Sequence, residues 1–347
     1  MTEMKYARLG WSDIEVSRVC IGGMSFGATS EDSRLWTLDE KDTQEVLARA
    51  VDRGVNFIDT ANTYGFGTSE EYIGKALKKL QVPRDKVVIA SKVYFNEGRL
   101  SRKAIMREID GSLQRLGTDY LDVYFVHRFD YETPIEETLE ALDELVRAGK
   151  VRALGASAMY AYQFHNMQIA AEQNGWTKFT VMQPHYNLLY REDEREMIPL
   201  CREQNVAIMP YSPLASGHLA RPTWNSDSLR GTTDDAQHDK YDAAQAKDMP
   251  IIERVAEIAQ RKGVPMANIA LAWLWERGVE SAIVGCSKPS RVDDAANACA
   301  VALSSEEMDY LEELYSAHDL VGLVGRPGER ALAGTKYYGE ESEDGAK

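Results

Sequence analysis

The chain has 347 residues, 44% hydrophobic and 27% charged, enough apolar material for one large α/β barrel or two smaller domains and too much for a disordered chain. A formal net charge of -15, with no basic run beyond short pairs such as Lys78-Lys79, opposes nucleic-acid binding, which needs clustered cations. No segment approaches the ~18 continuous apolar residues of a bilayer span, and "MTEMKYARLG" at the start has no signal-peptide core.

In chain order, "KYARLGWSDIEVSRV" (5–19) reads as a hairpin turned at Trp11 to Asp13. The first strand candidate is "RVCIGG" (18–23), and a loop over 28–40 leads to a helix bracketed by Asp42 and Gly54. Strands follow at 56–59, 87–92, 122–127, 151–157, 179–183, 206–211 and 281–285, each a short apolar or β-branched run. Between them lie amphipathic segments with start and stop signals. Residues 101–116 begin at Ser101 and put Ile105, Ile109, Leu113 and Leu116 on one stripe. In 133–149, Thr133 with Glu136 spells a capping box, Pro134 suits the first helical position, and Gly149 ends a face of Leu139, Leu142 and Leu145. The polar stretch 217–250 is long for a connection, as functional lids are, and "GEESEDGAK" (339–347) is acidic and disordered in character.

Eight strands alternating with helices imply a parallel sheet, and in one chain they favour a closed (β/α)8 TIM barrel. The open doubly wound alternative would begin with G-x-G-x-x-G, whereas "GGMSFG" (22–27) has the wrong spacing. The prediction is a single barrel domain over residues 1–335 with an acidic tail over 336–347, the N-terminal hairpin plugging the barrel's bottom and long loops at its carboxyl face. Cys20, Cys201, Cys286 and Cys299 are scattered with no C-x-x-C pair, which reads as reduced thiols in a cytoplasmic protein with no metal site.

In such a barrel the strand ends carry the active site. Asp59 ends the second predicted strand, Lys92 the third and His127 the fourth, with Tyr64 in the loop past Asp59. Each alone is accounted for by a turn cap, a solvated cation or a half-buried histidine; together, on successive strand ends, they suggest chemistry. A phenol with an ordinary pKa of ~10 exchanges protons poorly at neutral pH unless a cation favours its anion. Lys92, held by Asp59, supplies that cation, Tyr64 becomes a general acid and base, and His127 orients a substrate oxygen. This set suits carbonyl polarisation while hydride arrives from a nicotinamide cofactor. Ser287, Lys288 and Arg291 cluster where Pro289 opens a helix after the last strand, equally an ordinary helix start and a phosphate site.

The motifs "FIDTANTYG" (57–65), "SKV" (91–93), "VHRFD" (126–130), "GASAMY" (155–160), "MQPHYNLLYR" (182–191), "YSPLASG" (211–217) and "VGCSKPSR" (284–291) together resemble the aldo-keto reductases, in particular the bacterial and archaeal branch related to the potassium-channel β subunits, from residue 9 to about Leu323. The resemblance implies extended NADP(H) in a barrel and a catalytic tetrad on Asp59, Tyr64, Lys92 and His127, with Tyr64 as proton donor. It implies that Ser157 and Gln183 meet the carboxamide, that Tyr211 stacks on the nicotinamide, and that Gly22, Gly23, Met24, Asp59, Ser212, Pro213, Leu214, Gly217 and Gly285 line the cofactor. Ser287, Lys288, Arg291 and Asp294 would hold its adenosine end. Ala158 stands where many relatives carry Asn, which removes or replaces one amide contact. Arg128 reads either as a contact for cofactor or anionic substrate or as an ion pair with Asp130 or Glu132.

The resulting expectation is an NADP(H)-dependent reductase of aldehydes and ketones whose partner is a small carbonyl substrate, with no signal for oligomeric state. A redox-sensing interaction subunit with slow turnover is the rival, and a cofactor-free lyase or isomerase using Lys92 as a Schiff base a third reading. Trp36, Tyr94, Phe129 and Trp224 are the aromatic candidates for the substrate pocket.

Overall fold

The computed structural model describes residues 2–28 and 35–325; the predicted tail 336–347 and the middle of the 28–40 loop lie outside them. Strands β1 (Tyr6–Arg8) and β2 (Glu15–Ser17) form the antiparallel hairpin, with Tyr6 opposite Ser17. The repeat then runs β3 (Val19–Gly22), α1 (Glu40–Asp52), β4 (Phe57–Asp59), α2 (Thr68–Lys79), β5 (Val88–Val93), α3 (Arg102–Leu116), β6 (Leu121–Val126), α4 (Ile135–Arg147), β7 (Val151–Ser157), α5 (Ala161–Asn174), β8 (Phe179–Gln183), α6 (Met197–Glu203) and β9 (Ala207–Ile208). Helices α7 (Leu229–Thr233), α8 (Asp235–Tyr241), α9 (Gln245–Lys262) and α10 (Met266–Glu276) precede β10 (Ala282–Val284), and α11 (Pro289–Asn297) and α12 (Ser305–Glu312) close the chain.

Strands β3 to β9 pair in sequence order, all parallel, with β10 beside β3. Backbone hydrogen bonds from Ile283 to Pro210 (3.1 Å) and from Glu280 to Ile208 (3.2 Å) join β10 to the β9 side and close the barrel. All eight predicted strands are present. The seventh is shorter than predicted because Pro210 has no N–H to continue the ladder, which resumes at a bridge between His185 and Tyr211.

The hairpin does plug the bottom. Leu9, Ile14 and Val16 pack with Cys20, Phe57, Val123, Phe125 and Val181 in the barrel interior, apart from the larger core between sheet and helices. Gly10 makes this possible: at φ +53 a Cβ there would lie 2.6 Å from the Asn205 carbonyl and 2.7 Å from that of Thr180.

Two helix starts depart from expectation. Asp39, not Asp42, caps α1, its carboxylate accepting from the Asp42 N–H at 2.8 Å. The capping box at α4 does not form, because Thr133 Oγ1 donates to Asp130 Oδ2 at 2.7 Å and Pro134 takes the cap position; the carboxylate is the stronger acceptor and outcompetes the helix end. Ser101 caps α3 and Pro289 opens α11 as predicted. The polar stretch 217–250 folds into α7, α8 and the start of α9, anchored by Trp224 stacked on His218 at 4.1 Å and by buried Tyr241. Among the described residues no helix is long and apolar enough to cross a membrane.

Candidate active site

Parallel strands end on one rim, and the βα loops there bring the four predicted polar residues together. Asp59 is the last residue of β4, Lys92 lies near the end of β5, His127 follows β6, and Tyr64 opens the turn after β4. Lys92 is fully buried, and its ammonium donates to Asp59 Oδ2 at 2.6 Å, to the Thr60 carbonyl at 2.8 Å and to the Tyr64 hydroxyl at 3.3 Å. All three of its donors are thereby used. Burial pushes the Asp59 carboxyl above its ordinary value, against the lowering influence of Lys92 and Gln183. Burial also works against the Lys92 ammonium, but Asp59 and Tyr64 outweigh it and hold Lys92 above the ordinary lysine value, hence charged. A charged amine with every N–H engaged does not suit attack on a carbonyl, so the Schiff-base reading has no support in this geometry.

The Tyr64 ring meets His127 edge to face at 5.7 Å, and Phe95 meets the other side of the group at 5.1 Å from the imidazole. Gln183, at the end of β8, donates to Asp59 Oδ1 at 3.0 Å, and Ser157 Oγ donates to the Gln183 backbone carbonyl at 3.0 Å. Ala158 sits at φ +43, its N–H on the Gln183 carbonyl at 3.3 Å. Tyr211 is stacked on His185 at 5.1 Å and 12°, and His185 on Tyr190 at 4.2 Å and 15°. Burial holds His185 well below the ordinary histidine value, so this column is built on a neutral ring.

The other predicted cofactor positions surround the same mouth. Gly22, Gly23 and Met24 carry β3 into its loop, and a Cβ on Gly23 would lie 2.9 Å from the Asp59 carbonyl. Between Ser212 and Gly217, flanking Pro213 and Leu214, the backbone has positive φ at Ser212, Ala215, Ser216 and Gly217, a tight turn in which the Ala215 N–H donates to the Ser212 carbonyl at 2.9 Å and the Gly217 N–H to that of Leu214 at 2.8 Å. Gly285 is exposed at the end of the last strand, where a Cβ would meet nothing nearer than Arg230 at 4.0 Å. Ser287, Lys288 and Arg291 are exposed around the α11 start, and Arg291 pairs with Asp294 at 3.4 Å.

Reading from sequence missed several residues at this rim. Arg221 is half-buried, has no carboxylate partner among the described residues and lies with Nη1 2.8 Å from a Cβ built on Gly217. Arg230 stacks on Trp36 at 4.3 Å beside Gly285. Phe66 and Phe95 are 75% and 50% exposed, whereas Tyr94 and Trp224 are buried and Phe129 packs on Tyr131 at 4.9 Å. Only a cation or aromatic set in a loop signals these positions, and such residues are common in loops of every kind.

A (β/α)8 barrel that gathers a phenol, an ammonium and an imidazole where its strands end has the architecture of the barrel enzymes, whose active sites lie at that mouth. A model of the Aldo/keto reductase family matches residues 18–316, and the chain belongs to that family of oxidoreductases. It is 42% identical to the versiconal hemiacetal acetate reductase of Aspergillus parasiticus over 94% of this chain and 100% of that protein. It is 44% identical to the aldo-keto reductase AFTS1 of Alternaria alternata, over 91% of this chain and 93% of that one. A putative aryl-alcohol dehydrogenase of Saccharomyces cerevisiae is 37% identical over 91% of this chain and 98% of its own length. These relatives are fungal and named as reductases or dehydrogenases, so they lend nothing to the channel-subunit branch that the motifs suggested.

Proposed function

We propose that the protein is an NADP(H)-dependent reductase of aldehydes and ketones in which Tyr64 donates the proton. The observation that carries this is the Lys92 ammonium, bonded at once to Asp59 and to the Tyr64 hydroxyl. As the phenol gives its proton to the substrate oxygen, the neighbouring positive charge stabilises the phenolate left behind, and burial of Lys92 strengthens that effect. Asp59, itself held by Gln183, fixes the ammonium. His127, edge-on to the phenol, orients the carbonyl oxygen toward it.

The residues fit a dinucleotide. Gln183 Oε1 has no partner among the described residues and can accept from a carboxamide, Tyr211 is a preformed ring platform, and Arg221 buries Nε without a partner beside the positive-φ turn. Gly285 leaves open space next to Lys288. Ser157, Gln183 and Tyr211 would hold the nicotinamide, Ser212 to Gly217 with Arg221 the pyrophosphate, and Ser287, Lys288, Arg291 and Asp294 the adenosine end. The bound nicotinamide supplies hydride to the carbonyl carbon. Phe95 and Phe66 at the rim, together with relatives named for aryl alcohols, favour flat aryl aldehydes as substrates.

The test is titration of the purified protein with NADPH and with NADH by tryptophan fluorescence, then benzaldehyde-dependent loss of absorbance at 340 nm. Tighter binding of NADPH with aldehyde-dependent oxidation supports the reading. Binding of neither nucleotide overturns it.

A further inference from the structure

Arg128 follows His127 and makes no ion pair among the described residues. The arginines of neighbouring units do: Arg99 reaches Glu132 at 2.9 Å, Arg84 reaches Asp122 at 2.7 Å, and Arg115 reaches Glu70 at 2.6 Å. The carboxylates beside Arg128 are already engaged. Asp130 accepts from the Leu100 and Glu132 N–H groups and from Thr133 Oγ1, and Arg99 lies between Asp130 and Glu132. Of the two readings of Arg128, the ion pair with Asp130 or Glu132 is therefore taken by Arg99 instead.

Among the described residues, of the five N–H donors of Arg128 only Nη1 makes a hydrogen bond, to the His127 backbone carbonyl at 2.6 Å, and Nε is buried with no partner. A half-buried guanidinium without an anion loses hydration and gains little in return. Its position gives that charge a use. The Arg128 guanidinium carbon lies 5.7 Å from the centroid of Phe95, the half-exposed ring that itself contacts His127 at 5.1 Å, and His127 contacts Tyr64. Cation, aromatic wall, imidazole and phenol thus follow one another around one opening.

Resting on the reductase reading, we propose that Arg128 is a specificity-determining residue that binds a carboxylate on the substrate, so that the preferred substrates are aryl or similarly flat aldehydes carrying an anionic group. The ring of such a substrate lies along Phe95, its carbonyl oxygen faces Tyr64 and His127, and its carboxylate meets the fork of Arg128, which matches a carboxylate in shape as well as in charge. In a molecule with a formal charge of -15 long-range attraction does not favour such a substrate, so the preference is local to this one side chain.

The test compares kcat/KM for 4-formylbenzoate and for 4-methylbenzaldehyde, a neutral molecule of similar size, with NADPH and the full-length protein. The wild type is expected to favour the carboxylate, chiefly through KM, and this preference should shrink as ionic strength rises. In Arg128→Met the ratio of the two values should fall roughly tenfold to a hundredfold, the usual worth of a hydrogen-bonded charge, and Arg128→Lys should keep part of it. A wild-type ratio near one, or a ratio unchanged in Arg128→Met, overturns the proposal while leaving the reductase reading intact. A parallel loss for both aldehydes together with weaker NADPH binding assigns Arg128 to the cofactor and likewise overturns it. Reduction of neither aldehyde overturns the reductase reading, and this inference with it. The wild-type ratio and its salt dependence decide the matter even if a variant fails to fold.

Discussion

Lys92 shows why the residues of this site are unequal as probes. Its ammonium is buried and bonded to Asp59, to a backbone carbonyl and to Tyr64, so Lys92→Met leaves the Asp59 carboxylate buried with Gln183 as its remaining polar contact. Removing one partner of a buried pair costs about 3–5 kcal/mol, and urea unfolding of Lys92→Met should show a loss of that order alongside any loss of turnover. A loss under about 1 kcal/mol would mean that the pair is better solvated than its burial implies. Tyr64→Phe, by contrast, removes one hydroxyl from a half-exposed ring, so its effect reads on chemistry. Asp59, Lys92 and His127 were legible in the sequence because each ends an apolar run whose strand character is plain. His185 and Arg230 were not, since what defines them comes from remote segments, Tyr241 for His185 and Trp36 for Arg230; nor was Arg221, whose neighbours Gly217 and Trp224 are close in the chain but lie in a polar stretch with no period to mark them.

At the scale of elements, the segment after α12 behaves as a strap across the barrel's mouth. The Val321 N–H donates to the Tyr190 hydroxyl at 3.3 Å, the Tyr131 hydroxyl donates to the Val324 carbonyl at 3.0 Å, and Gly322, at φ +80, passes so close to Tyr211 that a Cβ would lie 2.7 Å from its hydroxyl. Its latch is His318, bonded to Asp248 of α9 at 2.8 Å and to the Ser316 carbonyl, with its N–H on Glu192 and its ring against Tyr315 and Tyr190. Burial and Lys247 lower the imidazolium, but Asp248 and the Ser316 carbonyl raise it more, and His318 titrates above the ordinary histidine value. A raised folded value stabilises the latched state fully below the ordinary range of ~6.5, and that stabilisation fades as pH climbs through the raised value. Hydrogen exchange at the Val321 amide, corrected for intrinsic rate, should therefore lose protection as pH rises above the ordinary histidine value of ~6.5, and His318→Gln should abolish the pH dependence. Flat protection in the wild type as pH rises above that value would contradict the latch. No periodicity marks this strap in the sequence, whereas the barrel strands, buried on both faces, stand out as apolar runs. The capping box of α4 was misread for a related reason: Asp130, which intercepts Thr133, is outside the motif's four positions. The stretch 217–250 passed for a polar loop because its apolar anchors, Trp224 and Tyr241, are too sparse to give a period.

For the whole molecule, the barrel converts a linear pattern into a polarised one. The hairpin seals one end with Leu9, Ile14 and Val16, and the other end collects Asp59, Tyr64, Lys92 and His127 and cations such as Arg128, Arg221 and Lys288, these three meeting no carboxylate among the described residues. An acidic protein thereby keeps local positive charge at one face, which the proposed phosphate-bearing cofactor requires. At the centre of the proposal, the Tyr64 phenol, hydrogen-bonded to the Lys92 ammonium at 3.3 Å, is the acid of a carbonyl reduction. The measurement that tests it most directly is steady-state aldehyde reduction by Tyr64→Phe, paired with NADPH titration of the same variant. NADPH binding is expected to stay within a few fold of wild type while turnover falls ~10²–10⁴-fold, the usual worth of a general acid. Turnover preserved in a variant that still binds NADPH would contradict it.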